Sequence, residues 1–149
     1  MKIAVVALGK IGLPLAVQFA KKGHHVIGCD VNQKTVDLIN AATEPFPGEN
    51  FLAEYLAEVV ASGHLVATTD TTKAVSESDA VVIVVPLFVN SEGIPDFGWM
   101  DAATEKIAAG LKPGTLISYE TTLQLVCTSL PPALLGWRIR CTRNTLYLP

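Results

Sequence analysis

Apolar, β-branched runs alternate with segments of helical periodicity along most of this chain. Residues 3–8 (IAVVAL) and 80–85 (AVVIVV) are uninterrupted apolar runs, which is typical of strands covered on both faces in a parallel sheet. Shorter runs at 25–29, 65–68 and 115–119 predict three further strands. The pattern therefore predicts about five strands.

The segments between these strands place apolar residues at the spacing of a helix with one buried face. Such segments lie at 11–22, 31–40, 51–62, 71–77 and 101–111. Strands that alternate with helices favour right-handed crossovers and a parallel sheet. We therefore predict the α/β class, with a Rossmann-like doubly wound parallel sheet, truncated after about five strands.

A glycine-containing turn joins the first predicted strand to the first predicted helix. Residues 7–12 read Ala-Leu-Gly-Lys-Ile-Gly, so Ala7 stands where the dinucleotide fingerprint G-x-G-x-x-G has its first glycine. Amides at a helix start have no intrahelical acceptors and lie at the positive end of the helix dipole. Gly9 would let the backbone approach a diphosphate, and Gly12 would let the helix pack closely on its strand. The turn therefore predicts a pyrophosphate site.

An acidic residue follows the second predicted strand at the distance expected for ribose recognition. Asp30 comes eighteen residues after Gly12. A carboxylate accepts hydrogen bonds from a free 2′-hydroxyl and repels a 2′-phosphate, so Asp30 predicts NAD rather than NADP. Ligands of such sheets lie beyond the carboxyl ends of the strands, where the loops after Leu8, Val85 and Tyr119 would converge.

The composition of the chain limits the kinds of partner that it is expected to bind. The chain has 149 residues, enough for one domain, and a formal charge of −3, which gives no basic field for nucleic acid. The longest apolar stretch is interrupted by Pro86 and is too short to cross a membrane. Cys29, Cys127 and Cys141 lack the spacing of a metal site or a disulfide framework. We therefore expect a cytoplasmic protein with no metal, nucleic acid or membrane partner.

Several motifs beyond the glycine turn are shared with one enzyme family. They are GKIGLP at 9–14, VIGCDVN at 26–32, ASGHLVATTD at 61–70, VIVVP at 82–86, GIPDF at 93–97, LKPGTL at 111–116 and ETT at 120–122. With them, residues 1–122 resemble the N-terminal NAD-binding domain of the UDP-glucose/GDP-mannose dehydrogenase family. The resemblance covers about four-fifths of the chain.

The resemblance implies the cofactor half of an NAD-linked oxidation, in which the family converts the C6 alcohol of a nucleotide sugar to a uronic acid. Thr122 corresponds to a family threonine near the nicotinamide and the catalytic water, and is the one catalytic residue that we predict. The expected cofactor-binding residues are Ala7, Leu8, Gly9, Lys10, Ile11, Gly12, Asp30, Val84, Val85, Pro86, Leu87 and Thr122.

The chain departs from the family pattern beside the expected site. Where much of the family has V-P-T-P, residues 85–88 read Val-Pro-Leu-Phe, so a hydroxyl is lost and Leu87 and Phe88 would form an apolar wall. Thr35 occupies the usual basic position after the ribose acid. Lys34 beside it is either a cofactor contact or a solvated helix lysine, and we expect Lys10 to point to solvent.

The character of the chain changes at Leu123. Residues 1–122 hold all eight lysines and all fourteen acids, whereas residues 123–149 hold three arginines and no acid. In another reading frame, codons for residues 123–126 give Pro-Val-Gly, as the family has, so we hypothesise a one-base slip in the gene. We expect a divergent tail at 123–149, absent substrate and C-terminal domains, and no catalytic role for Cys127 or Cys141.

Truncation would have a structural consequence. It would expose the edge of the strand at 115–119 and apolar tail side chains, which favours self-association into a homo-oligomer.

Three functions fit these observations. The first is the NAD-binding portion of a nucleotide-sugar 6-dehydrogenase, inactive alone, with the nucleotide sugar as a partner only of a full-length protein. The second is a noncatalytic Rossmann interaction or regulatory module. The third is the N-terminal domain of another NAD-dependent hydroxyacid dehydrogenase, against which GIPDF and YETT argue. The sugar stays open between a UDP-N-acetylhexosamine and UDP-glucose.

Overall fold

A parallel sheet forms the centre of the structure. The computed structural model describes residues 1–121, and the backbone of 140–142 and 145–147. The parallel strands are β1 (Lys2–Val6), β2 (His25–Cys29), β3 (Leu65–Thr68), β4 (Ala80–Ile83) and β7 (Leu116–Tyr119). Their spatial order is β3-β2-β1-β4-β7, which confirms the predicted doubly wound sheet.

Helices cover both faces of this sheet. They are α1 (Gly12–Lys21), α2 (Gln33–Asn40), α3 (Leu52–Ala61), α4 (Thr71–Ser76) and α5 (Gly98–Gly110). In β1, Ile3 and Val5 join one apolar core with α1, α2 and α3, whereas Ala4 and Val6 join a second with α4 and α5. Successive strand residues point to opposite faces, so burial of both faces explains the continuous apolar run.

The ends of several elements differ from the predicted ones. β1 ends at Val6, because Ala7 turns the chain with a φ of 76°. β4 ends at Ile83, two residues before the end of its apolar run. α5 begins at Gly98 rather than Asp101, with Phe97 as its N-cap, and the Asp96 carboxylate accepts the Gly98 amide at 2.9 Å in the turn before it.

A small hairpin that the sequence analysis did not predict lies between β4 and α5. It pairs β5 (Phe88–Val89) with β6 (Pro95–Asp96). The Asn90 side-chain oxygen accepts the amides of Glu92 and Ile94, both at 2.9 Å, and so shapes the turn. Such short, mostly exposed strands leave no clear hydrophobic pattern.

The outer edge of β7 is paired, which shows that the expectation of an exposed edge is wrong. β9 (Thr145–Tyr147) lies antiparallel to β7, and β8 (Arg140–Thr142) pairs with β9. A strand edge carries unpaired amides and carbonyls, and the returning chain satisfies them. Thr122 and Cys127 lie outside the described residues.

Candidate functional site

A cleft opens at the carboxyl ends of the parallel strands. The chain adds β2 and β3 on one side of β1 and then β4 and β7 on the other, so the strand order reverses between β1 and β4. In open α/β sheets this switch point is where ligands bind. The cleft measures about 490 Å³, and the residues that line it are Ile11, Val84, Pro86, Leu87, Tyr119, Glu120 and Thr121.

The turn after β1 is held against β2. The Ala7 amide donates to the Cys29 carbonyl at 2.8 Å, while Ala7 itself has a positive φ of 76° that favours glycine. A Cβ on Gly12 would overlap the Ala7 carbonyl oxygen. Gly12 therefore allows α1 to start directly over the turn, as the sequence predicts.

The amides that lead into α1 have the properties of an anion site. Ile11, the N-cap, makes no side-chain capping bond. Within residues 1–121, the amides of Lys10, Ile11 and Gly12 donate to no acceptor. A Cβ on Gly9 would meet nothing within 4 Å, so the surface above Gly9 is open. Free donors beside an open backbone surface fit the diphosphate of a dinucleotide.

The Asp30 carboxylate fastens the glycine turn to the end of β2. One oxygen, Oδ2, accepts the Leu8 amide at 2.9 Å, and Oδ1 accepts the Asn32 amide at 2.9 Å. Each carboxylate oxygen has a second lone pair, so the half-buried group keeps capacity for a ribose hydroxyl. Asp30 thus stabilises the glycine turn and also lies where a ribose hydroxyl is expected.

Some of the remaining predicted site residues line the cleft, and others lie in the apolar cores beneath it. Val84, Pro86 and Leu87 line the cleft with Ile11. The side chains of Leu8 and Val85 are buried in the two cores, so they support the site from beneath. Lys10 is exposed, as expected.

The departures from the family pattern also have places in the structure. Leu87 lines the cleft, whereas Phe88 lies in the exposed hairpin and is not among the lining residues. Thr35 is buried and Lys34 is exposed. The backbone amide of Lys34 donates to the Asn32 side chain, which caps α2.

The loop after β7 reaches the cleft, as predicted, but its lining residues were not among the predicted site residues; they are Tyr119, Glu120 and Thr121. Burial raises the pKa of the Tyr119 phenol, whose oxygen lies 3.4 Å from the Thr104 hydroxyl. Glu120 is exposed, and one of its oxygens accepts the Ser118 hydroxyl at 2.7 Å. Their position after a predicted strand was the available signal.

Cys29 lies beneath the site as a fully buried thiol. The pKa of this thiol is raised from 9.0 to about 12, chiefly by burial. A hydrogen bond with Thr71 lowers the pKa, and the negative charges of Asp70 and Asp30 raise it. A thiol this hard to ionise is a poor nucleophile. Cys29 therefore packs in the core at the end of β2.

The raised pKa of the Cys29 thiol predicts that the folded protein loses stability at high pH. The unfolded chain releases the Cys29 proton near pH 9.0 and the folded chain only near 12, so the stabilisation is complete below pH 9 and is lost between these values. By pH 10 this difference in pKa should lower the free energy of unfolding by about 1 kcal/mol. Denaturant unfolding at pH 8 and pH 10 should show a smaller decrease for Cys29→Ala, and equal decreases would contradict the assignment.

Two further properties concern the described residues alone. No helix in the part of the chain described here is long and apolar enough to cross a membrane. Among those same residues, no three His, Cys, Asp or Glu side chains are grouped closely enough to hold a metal ion.

Comparison with known proteins identifies the family. Residues 1–130 match the NAD-binding domain of the UDP-glucose/GDP-mannose dehydrogenase family, and the match extends past the predicted boundary after Thr122. The chain belongs to this family. The match favours the nucleotide-sugar dehydrogenase interpretation over that of another hydroxyacid dehydrogenase, and it identifies NAD as the cofactor of this domain.

Individual members of the UDP-glucose/GDP-mannose dehydrogenase family are also similar. The UDP-N-acetyl-D-mannosamine dehydrogenase of Salmonella typhimurium is 38% identical over 91% of this chain and 30% of its own length. The NDP-N-acetyl-D-galactosaminuronic acid dehydrogenase of Ralstonia solanacearum is 39% identical over 80% of this chain and 27% of its own length. The chain therefore spans about 30% of the length of these relatives.

Solved structures of the family share the fold. The UDP-D-ManNAc dehydrogenase of Pyrococcus horikoshii superposes with a TM-score of 0.80 at 30% identity, over 86% of this chain and 30% of that one. A ternary complex of GDP-mannose dehydrogenase from Pseudomonas aeruginosa gives 0.78 at 31% identity, over 83% and 29%. The parallel sheet and its helices are thus those of the family's NAD-binding domain.

Proposed function

We propose that this chain is the NAD-binding portion of a nucleotide-sugar 6-dehydrogenase. The observation that carries the proposal is the row of free amides at Lys10, Ile11 and Gly12 beside the open surface of Gly9. The diphosphate lies over these amides, and Asp30 accepts a hydroxyl of the adenosine ribose. NAD supplies the hydride acceptor for oxidation of the sugar alcohol, and the residues described here bind and orient it.

The assignment of individual site residues follows from their positions. Gly9, Lys10, Ile11 and Gly12 contact the diphosphate through the backbone, while Ala7 and Leu8 shape the turn. The cleft residues Val84, Pro86 and Leu87 face the cofactor, and Val85 supports them from the core. Thr122, directly after the cleft residue Thr121, keeps its proposed role near the nicotinamide and the catalytic water.

We further propose a UDP-N-acetylhexosamine as the sugar substrate of the longer protein. Support comes from the relatives in Salmonella typhimurium and Ralstonia solanacearum, whose names specify N-acetylated sugars, at 38% and 39% identity. We expect the chain not to oxidise this sugar by itself, because it spans only about 30% of the length of these relatives. The cytoplasm is the proposed compartment, where a free thiol such as that of Cys29 persists.

Isothermal titration calorimetry tests the proposal. NAD should bind to the purified chain with a Kd of about 1 mM or tighter, and NADP more weakly, because Asp30 opposes a 2′-phosphate. Addition of UDP-N-acetylmannosamine with NAD should give no increase in absorbance at 340 nm. Failure to bind NAD would contradict the proposal and favour the noncatalytic module, and turnover would contradict the inactivity of the chain.

A further inference from the structure

Among the described residues that line the cleft, one carries a carboxylate and the others are uncharged. Of its lining residues, Ile11, Val84, Pro86 and Leu87 are apolar, while Tyr119 and Thr121 carry hydroxyls. Glu120 is the one acidic side chain among them. A negative charge there calls for an explanation, because the dinucleotide's own diphosphate is negatively charged.

The position of Glu120 is fixed by two hydrogen bonds. Its amide donates to the Ile83 carbonyl at 2.9 Å, which continues the pairing of β7 with β4. Its Oε1 accepts the Ser118 hydroxyl at 2.7 Å. The Ser118 hydroxyl therefore anchors the exposed carboxylate at the end of β7.

The order of the strands decides which half of a dinucleotide lies near Glu120. Asp30 ends β2, on the β3 side of β1, so the adenosine half lies on that side of the glycine turn. The other half of the cofactor crosses the switch point toward β4 and β7. Glu120 follows β7 and so lies on the nicotinamide side.

We propose that Glu120 is a specificity-determining residue that favours the oxidised cofactor, NAD⁺, over NADH. The inference rests on the proposed function. The nicotinamide ring carries a positive charge in NAD⁺ and none in NADH, whereas the diphosphate and both riboses are the same. A nearby carboxylate therefore stabilises only the oxidised ring, and repels the diphosphate of both forms alike.

The test compares the Kd of NAD⁺ with that of NADH for the wild-type chain and for Glu120→Gln. Glutamine keeps the size and a hydrogen-bond acceptor for Ser118 but removes the charge. The ratio of the two Kd values should shift against NAD⁺ by about threefold to tenfold, the range for one charge at an exposed site. The shift should shrink at high salt, because exposed charges are screened.

Glu77→Gln is the matched control. Glu77 is exposed at the end of α4, shortly before β4 begins, so it lies at the amino ends of the strands and away from the cleft. The Glu77→Gln substitution removes the same charge and should leave the Kd ratio unchanged. If Glu120→Gln binds both cofactor forms with the wild-type ratio, or if Glu77→Gln shifts the ratio equally, the inference is overturned. If neither form binds the wild-type chain, the proposed function itself fails.

Discussion

Replacing Gly12 with alanine is expected to destabilise the fold and abolish NAD binding. The added Cβ would overlap the Ala7 carbonyl oxygen, which is backbone and cannot swing aside as a side chain does. The Ala7 amide donates a hydrogen bond to the Cys29 carbonyl, so the turn cannot shift without breaking its hydrogen bond to β2. Overpacking of this kind should cost roughly 3 kcal/mol, measured as the free energy of unfolding in denaturant.

Gly9→Ala is the matched control for this prediction. A Cβ at Gly9 meets no atom within 4 Å, so the unfolding free energy should change by less than about 1 kcal/mol. The methyl group would nevertheless stand on the surface that the diphosphate must approach, so NAD affinity should fall about tenfold or more. Unchanged NAD affinity in Gly9→Ala would contradict the proposed place of the diphosphate.

Asp30→Ala is expected to weaken both NAD binding and the fold. The loss of a charge-assisted bond to the ribose should cost about 1–3 kcal/mol in binding, measured by calorimetry. The amides of Leu8 and Asn32 would lose their acceptor, so unfolding should become easier by about 2 kcal/mol. The two losses would have one origin, because the carboxylate that shapes the turn is also the proposed acceptor of the ribose hydroxyl.

Asp30→Asn separates charge from shape. Asparagine keeps one oxygen acceptor, so its stability should lie between those of the wild type and Asp30→Ala. Removal of the negative charge should narrow the preference for NAD over NADP, since a 2′-phosphate is no longer repelled. Asp37→Asn removes the same charge from an exposed position on α2 and should leave the preference unchanged. An equal change in both variants would show that Asp30 acts only through the net charge.

Much of the fold follows from patterns within single segments. Continuous apolar runs predicted β1 and β4, because a strand buried on both faces has no polar positions. Helical spacing predicted the five helices, because each has one face buried against the sheet. The β5–β6 hairpin was missed because its short strands are mostly exposed, so burial left no trace in their sequence.

The sequence alone determined the α/β class, the glycine turn and the acid after β2, because these depend on local periodicity and on spacing along the chain. Only the tertiary structure decided that Asp30 holds the Leu8 amide, that Gly12 faces the Ala7 carbonyl and that Glu120 enters the cleft. It also decided that β9 covers the edge of β7. These contacts join residues far apart in the chain, and their geometry depends on how the strands are ordered in the sheet.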